Sequence, residues 1–465
     1  MKKLFPMLAF AISLIASTVQ AQTFTTLYNF TNGIDGAFPY GIILSGSNLY
    51  GVTVGGVGVV NTNTGSNIIT SATVYSINTN GTGLTTLHTF TGSEGSVLLG
   101  ALVLSGGTLY GTAAQGGSSG WGTVFSVKTD GTGFTILHNF TAIPNNTNTD
   151  GAYPYAGLIT SGGTLYGTTA RGGSNSYGTV FAINGNGSGF TILHTFTDGG
   201  NGDSSARLVL SGNILYGTAR YGGTSSFGTV FSLDTSGNNF TILHNFTAGT
   251  DGRNPEAGLV LSGGTLYGVA SAGGSSFGGT VFKLNTDGSA FTTLHSFAQF
   301  DANGQSPLVE LIISGSTLYG TTDYGGQAGY QGSGTAFTLQ TDGSGFATLH
   351  SFSHLGTDGE QPQASLILAG STLYGTADEG GTSHRGTVYS IALPCAPAVL
   401  NIAQYSGITI IGTVGCQYRI DYTTLLNPPN TVWTPLTTLT LTSSPFFYMD
   451  PTPNQGNRFY RAVVQ

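Results

Sequence analysis

A Leu-Tyr-Gly triplet recurs at Tyr50, Tyr110, Tyr166, Tyr216, Tyr267, Tyr319 and Tyr374, so successive copies stand 60, 56, 50, 51, 52 and 55 residues apart by subtraction. Around it a longer unit repeats, which over Gly162 to Phe196 reads GGTLYGTTARGGSNSYGTVFAINGNGSGFTILHTF. A repeat of this length is one supersecondary unit that buries its apolar faces only against its neighbours, as in solenoids and propellers. The unit divides into four runs of β-branched and aromatic residues, in the third copy at 156–160, 164–168, 178–184 and 190–196. Short turns of Gly, Ser, Asn and Asp separate them, the chemistry of antiparallel hairpins. No segment has helical period, and the sequence predicts four antiparallel strands per repeat.

The ends decide between a line and a ring. Residues 23–30, TFTTLYNF, copy the fourth strand with no strands of their own in front, and the last copy has runs at 364–369, 372–377 and 386–392 but no fourth. A solenoid would cap its ends with polar, atypical repeats, whereas a ring that borrows the N-terminal strand leaves no long open edge. The expectation is all-β: a seven-bladed β-propeller over residues 22–393, with kelch-like four-stranded blades and the last blade closed by residues 23–30. The fourth run agrees, because Phe134, Ile136, His138 and Phe140 alternate with Thr135, Leu137 and Asn139, leaving neither face strongly polar. Such a strand is covered on both sides.

Residues 1–21 carry two lysines, an apolar run and a final alanine, the layout of a secretory signal peptide, and the run is too short for the roughly 20 residues of a membrane span. No later stretch qualifies as a span, so the mature chain is expected to be secreted or held at the cell surface. After Leu393 the repeat stops, and residues 394–465 read as a small β-sandwich. Cys395 and Cys416 are the only cysteines, and in an exported chain one disulfide between them is the simplest expectation. Charged residues make up 7% of the chain and the net charge is -8, which excludes nucleic acid and acidic membrane surfaces as partners.

The LYGT, GG, GTVF, DGSGF and TxLHxF elements through residues 23–393 resemble the GloVer tandem-repeat family of exported bacterial proteins. That family is defined by its repeat, so the resemblance implies an extracellular setting and carries over no catalytic residue. The four-strand layout with paired glycines is also similar to kelch repeats in pattern.

Six histidines, His88, His138, His194, His244, His295 and His350, share one place on the fourth strand, with Tyr28 at the seventh. Spread around a rim, they cannot converge on the ~2.1 Å shell of a metal, and the expectation is a buried ring hydrogen-bonded between blades. Asp-Gly pairs at Asp35, Asp150, Asp251 and Asp358 supply one carboxylate per loop, poor provision for calcium, which takes six to eight oxygens. Phosphate-loop, nucleophile-elbow and zinc-helix motifs are missing, the repeats hold no cysteine for a copper-radical centre, and no metal or other cofactor is expected.

One slot varies inside the regular repeat. The residues four and five places after the signature tyrosine include Arg171, Arg220, Tyr221, Asp323, Tyr324, Asp378 and Glu379, beside loops carrying Trp121, Tyr177, Phe227, Phe277 and Tyr330. Of these, Arg171, Arg220, Tyr221, Phe227, Asp323, Tyr324, Asp378 and Glu379 are the candidate ligand-binding positions, with the arginines and the carboxylates in different sectors of one rim. Such a face suits a non-catalytic binding or adhesion module for an extracellular glycan or protein. A polysaccharide-degrading hydrolase or lyase using carboxylates on this face is the alternative, and a purely structural surface protein is a third. Oligomeric state is not set by the sequence.

Overall fold

The computed structural model describes residues 22–55, 71–197, 206–326, 332–354, 356–394, 399–403, 407–423, 431–444, 446–449 and 458–465. The expected signal peptide, Tyr330 and Cys395 lie outside the described residues. Among those described the chain is all-β, with one 3-10 turn at Pro144–Asn146. It divides into two compact units, one of residues 24–368 with 373–391 and the other of residues 1–23, 369–372 and 392–465.

The repeats form seven four-stranded antiparallel sheets in a propeller-like succession. Sheet 3 runs in order through Ile159–Ser161, Thr164–Thr169, Thr179–Asn184 and Thr191–Thr195. Sheets 1, 2, 4, 5 and 6 repeat this order within residues 37–89, 103–139, 209–245, 260–298 and 312–351. Sheet 7 draws three strands from Ile367–Ala369, Thr372–Ala377 and Thr387–Ala392, and its fourth is the N-terminal Thr23–Asn29 laid beside Thr387–Ala392.

The first strand of sheet 3 is shorter than the 156–160 run predicts, pairing only from Ile159. Before it the chain packs on other backbone: a Cβ on Gly157 would come within 3.1 Å of the Ala101 nitrogen. Close approach replaces ladder pairing there, and only glycine allows it.

Repeated side chains fasten each sheet to the next. The glycine of the triplet leaves room for the third-strand ring, since a Cβ on Gly167 would lie 2.6 Å from Phe181 Cζ. The following threonine donates across the junction, Thr168 Oγ1 to the Ala206 carbonyl at 3.0 Å and Thr218 Oγ1 to the Ala257 carbonyl at 2.8 Å. Tyr166, Val180 and Phe196 of sheet 3 share one core with Leu208, Leu215, Phe231 and Leu233 of sheet 4. Equivalent cores join sheets 1 and 2, 2 and 3, 4 and 5, and 5 and 6. Phe352 meets Tyr389 edge-on at 5.1 Å between sheets 6 and 7, and Phe30 and Val388 pack with Ile42, Leu49, Tyr75 and Ile77 between sheets 7 and 1.

The histidines form the outer layer of these junctions. His138 stacks on Phe190 at 3.8 Å and 5°, and His88, His194, His244 and His295 stack likewise on Phe134, Phe240, Phe291 and Phe346 of the next sheet. His350 stacks on Phe24 of the N-terminal strand at 3.8 Å. Where the histidine is replaced by Tyr28, the facing phenylalanine is replaced by Leu84, and both join the apolar cluster there. The rings are half-buried, not buried, and the hydrogen bond is not the contact between sheets. It comes from the loop leaving the ring's own sheet: His138 Nε2 donates to Asp150 Oδ2 at 3.0 Å and His350 Nε2 to Asp358 Oδ2 at 2.9 Å. The reason is steric, because a ring stacked flat on its neighbour points its nitrogens along the rim. Burial alone would raise Asp150, but hydrogen bonds from His138 and Thr141 hold it below the usual carboxylate range. The loop carboxylates are thus spent on internal donors, as with Asp251, which accepts from His244 and from the Thr247 amide and hydroxyl.

The C-terminal unit contains two three-stranded sheets, one of Val399–Ala403, Gly407–Ile411 and Phe446–Met449, the other of Thr434–Thr440, Gln417–Thr423 and Phe459–Val464. Both supply one core of Ile408, Ile410, Tyr418, Ile420 and Leu441, in which Cys416 is buried. Burial would raise Asp421, yet hydrogen bonds from Arg419 Nε at 2.7 Å and Arg461 Nε at 2.9 Å hold it low.

Candidate functional site

At five of the seven sheet entries a residue is held at positive φ just before proline: Phe38, Tyr153, Asn254, Ser306 and Gln361 have φ of 59°, 57°, 56°, 55° and 54°. This costs roughly 1–3 kcal/mol for a side-chain-bearing residue, and two hydrogen bonds offset it. The Tyr153 amide donates to the Trp121 carbonyl of the preceding sheet at 3.0 Å, while its own carbonyl accepts from the Ala170 amide at 3.1 Å. The prolines that follow press on the glycine opening the previous third strand, as Pro154 does on Gly122 and Pro39 on Gly386. The short segment after each proline is thereby aimed at one shared space.

That space is a cavity of about 700 Å3 to which all seven sheets contribute, through Tyr40, Leu99, Tyr155, Arg207, Glu256, Glu310 and Gln363 among others. On one side the segments touch backbone to backbone at Gly41, Ala101 and Gly157. On the other, Arg207 Nη1 donates to Glu310 Oε2 at 3.4 Å, spanning Gly258 of the sheet between them. Above this pair Arg220 Nε meets Glu256 Oε1 at 3.2 Å, and Ser271 Oγ donates to the same oxygen at 3.1 Å. Burial raises Glu310 and Glu256 above the usual carboxylate range despite their arginines.

The candidate positions read from the sequence separate here. Arg171, Arg220 and Tyr221 line the cavity, with the Arg220 guanidinium 5.0 Å over the Tyr221 ring. Asp323, Tyr324, Asp378 and Glu379 stand behind the lining. Asp323 is buried and accepts from Gln363 Nε2, itself a lining group, at 2.9 Å. Asp378 is half-buried, and burial followed by the charges of Glu379 and Asp323 pushes its carboxyl up to about 7. Tyr324 and Glu379 are exposed, and their backbones bridge to Gln305 and Glu360. Phe227 turns away from the rim and packs against the core between sheets 4 and 5. The rim is therefore not a plain division of arginines from carboxylates, since Arg220 is already paired. Arg207, Glu256, Glu310, Gln363, Tyr40 and Tyr155 escaped the sequence reading, although Tyr40, Tyr155, Glu256 and Gln363 each directly follow a proline, at a place that varies as freely as the chosen slot.

A second cavity of about 430 Å3 adjoins the first, with Tyr153 and Arg171 lining both and Trp121, Tyr177, Asn146 and Asn175 completing it. Among the described residues no group of three His, Cys, Asp or Glu side chains is placed to hold a metal, and no helix is long and apolar enough to cross a membrane.

Propeller-like tandem sheets converging on one varied cavity define a tandem-repeat protein whose uniform positions pack sheet against sheet. Residues 55–282 and 248–408 match the Gloeobacter/Verrucomicrobia repeat, and the chain belongs to that family, the GloVer repeat family. No curated protein matches the chain in sequence. Among solved structures it is similar to a nidogen/laminin complex, 15% identical over 61% of this chain and 90% of that one, with a TM-score of 0.40. A putative 6-phosphogluconolactonase from Bacteroides uniformis is 12% identical over 87% of this chain and 99% of its own, at 0.43. A Mycobacterium tuberculosis puromycin-hydrolyzing peptidase is 12% identical over 77% and 51%, at 0.49. At these values the likenesses carry nothing about function.

Proposed function

We propose that residues 22–393 form a closed seven-bladed β-propeller, exported through the signal peptide at residues 1–21, that acts outside the cell as a non-catalytic binding or adhesion module for a glycan or protein. The ligand sits at the mouth of the 700 Å3 cavity. One observation carries the reading: all seven sheets deliver side chains to this space, and no two of them deliver the same set. Apolar junctions run from sheet 1 to sheet 7 and, with Tyr28 and Leu84 in place of the stacked pair, from sheet 7 back to sheet 1, which supports closure. Residues 394–465 form the small sandwich, stapled by a Cys395–Cys416 disulfide that non-reducing mass spectrometry of the exported protein detects as the loss of two hydrogens. A glycan array and an extracellular-protein screen of the mature chain test the function; a ligand whose binding Arg220→Ala and Tyr221→Ala weaken is expected. Absence of any ligand on both screens would leave the structural surface protein.

A second reading has its own observation. A carboxyl raised to about 7 beside Asp323, as in Asp378, keeps about half its population protonated at neutral pH and suits a general acid, the part needed for polysaccharide hydrolysis or lyase chemistry. Turnover of an array ligand that Asp378→Asn abolishes would establish this reading in place of pure binding.

A further inference from the structure

The two adjoining cavities differ in how they are built. The larger arises wherever seven such segments converge. The smaller exists because the loop between sheets 2 and 3 carries an insertion: from Phe140 to Asp150 is ten residues, where from Phe246 to Asp251 is five. The insertion supplies Ile143 and Asn146 to the wall. It is held by Asn148, whose Nδ2 donates to the Thr141 and Gly151 carbonyls at 3.0 and 2.8 Å and whose Oδ1 accepts from the Gly151 and Gly173 amides at 2.9 and 2.8 Å. Four bonds on one amide fix the wall before any ligand arrives, which spares binding the cost of ordering it.

Where the cavities meet, the groups are aromatic and cationic. Trp121 and Tyr153 stand edge to face at 5.0 Å, and Tyr153 lies parallel to Tyr155 at 5.9 Å, so a row of rings leads from the small cavity into the large one. Of the three arginines lining the central cavity, Arg207 is paired with Glu310 and Arg220 with Glu256, whereas Arg171 is exposed and forms no ion pair among the described residues. Rings that accept the apolar face of a sugar, asparagines for its hydroxyls and one uncommitted planar cation form a site for a charged, extended chain.

We propose that the joined cavities bind an anionic oligosaccharide across at least two consecutive sugar residues, one over Trp121 and Tyr153 and the next entering the central cavity, with the acidic group on the Arg171 guanidinium. The proposal rests on the glycan-binding reading above and deepens it. Titration calorimetry of the full mature chain with trigalacturonate, its methyl ester, galacturonate monomer, a sulfated galactan trisaccharide and maltotriose tests it. Trigalacturonate or the sulfated trisaccharide binds at least tenfold more tightly than maltotriose, the ester loses that gain, and the monomer binds more weakly than the trimer. Whichever of the two anions binds identifies the acidic group as carboxylate or sulfate. Arg171→Gln lowers the affinity at least tenfold with an unchanged melting curve, Arg171→Lys restores part of it, and Asn146→Ala, outside the packed core, weakens it less. Equal affinity of wild type and Arg171→Gln for an anionic trimer overturns the proposal while leaving the glycan-binding reading intact. Binding of maltotriose alone does the same, and binding of none of the five probes overturns the proposal whatever the protein screen returns.

Discussion

The rim of the sheets and the mouth of the cavity use the same repeat in opposite ways. At the rim, one histidine and one phenylalanine recur with stacking distances between 3.6 and 4.0 Å at six junctions, and His88, His138, His244 and His350 each also meet a loop acid. At the mouth no two segments present the same set, and two half-buried arginines, Arg207 and Arg220, pair with carboxylates of other sheets while Arg171 stays exposed. The difference teaches where selection for packing ends: positions that meet their own copy in the next sheet must suit that copy, whereas positions meeting at one centre answer to several neighbours and to solvent. Titration differs too. Burial lowers the rim histidines, His194 to about 4 and His88, His244 and His295 in the same direction, and it raises Glu256 and Glu310 in the cavity and Asp378 behind it.

Removing Thr23 to Phe30 is expected to have the largest effect, because it takes Phe24 from His350, Phe30 from Tyr75 and the fourth strand from sheet 7 at once. The melting temperature should fall by roughly 10 °C or more, with aggregation through the bared edge of Thr387–Ala392. A monomeric elution profile and an unchanged melting curve would mean that the junction between sheets 7 and 1 bears no load.

Acid should come next, through the rim. A histidine whose folded value lies below its unfolded 6.5 resists protonation in the fold, so its contribution is complete above that pH and is lost as pH falls, for His194 down to about 4. Thermal melts between pH 7 and 4 should show a steep loss of stability in that window, and His194→Gln should flatten it. A curve of unaltered slope in the variant would show that this rim position does not titrate as its burial requires.

Next in size is His138→Ala, which removes a stack and a hydrogen bond together and should cost about 1–2 kcal/mol in chemical denaturation. The same substitution in a Phe190→Ala background should cost less, because the pair is coupled; strict additivity would argue that the stack carries no energy of its own.

Smallest, and opposite in sign, is Asp378→Asn behind the cavity lining. A carboxyl raised to about 7 stabilises the fold in its protonated form, a contribution complete below its unfolded 3.8 and lost as pH rises through about 7. The amide should therefore raise the melting temperature by roughly 1–3 °C at pH 8 and not at all at pH 4. A gain of the same size at both would place the cause in packing instead of charge.

The repeat period, four strands per unit, the orphan strand at residues 23–30 and the family were all legible in the chain, because each rests on local patterns that recur. Turn glycines, alternating apolar residues and the copied TxLHxF run need no knowledge of what lies across a junction. The rim histidines were legible as a class, though not their stacking, since a ring's partner belongs to the next copy. Tertiary structure alone decided that Arg220 is paired with Glu256, that Arg207 reaches Glu310 103 positions away, that Phe227 turns into the core and that Arg171 has no ion pair among the described residues. Seven segments about 50 residues apart in sequence meet within one cavity, and which charges pair there depends on the angle at which each strand enters. Nothing in a local pattern encodes that angle; it is set by the summed packing of all the sheets.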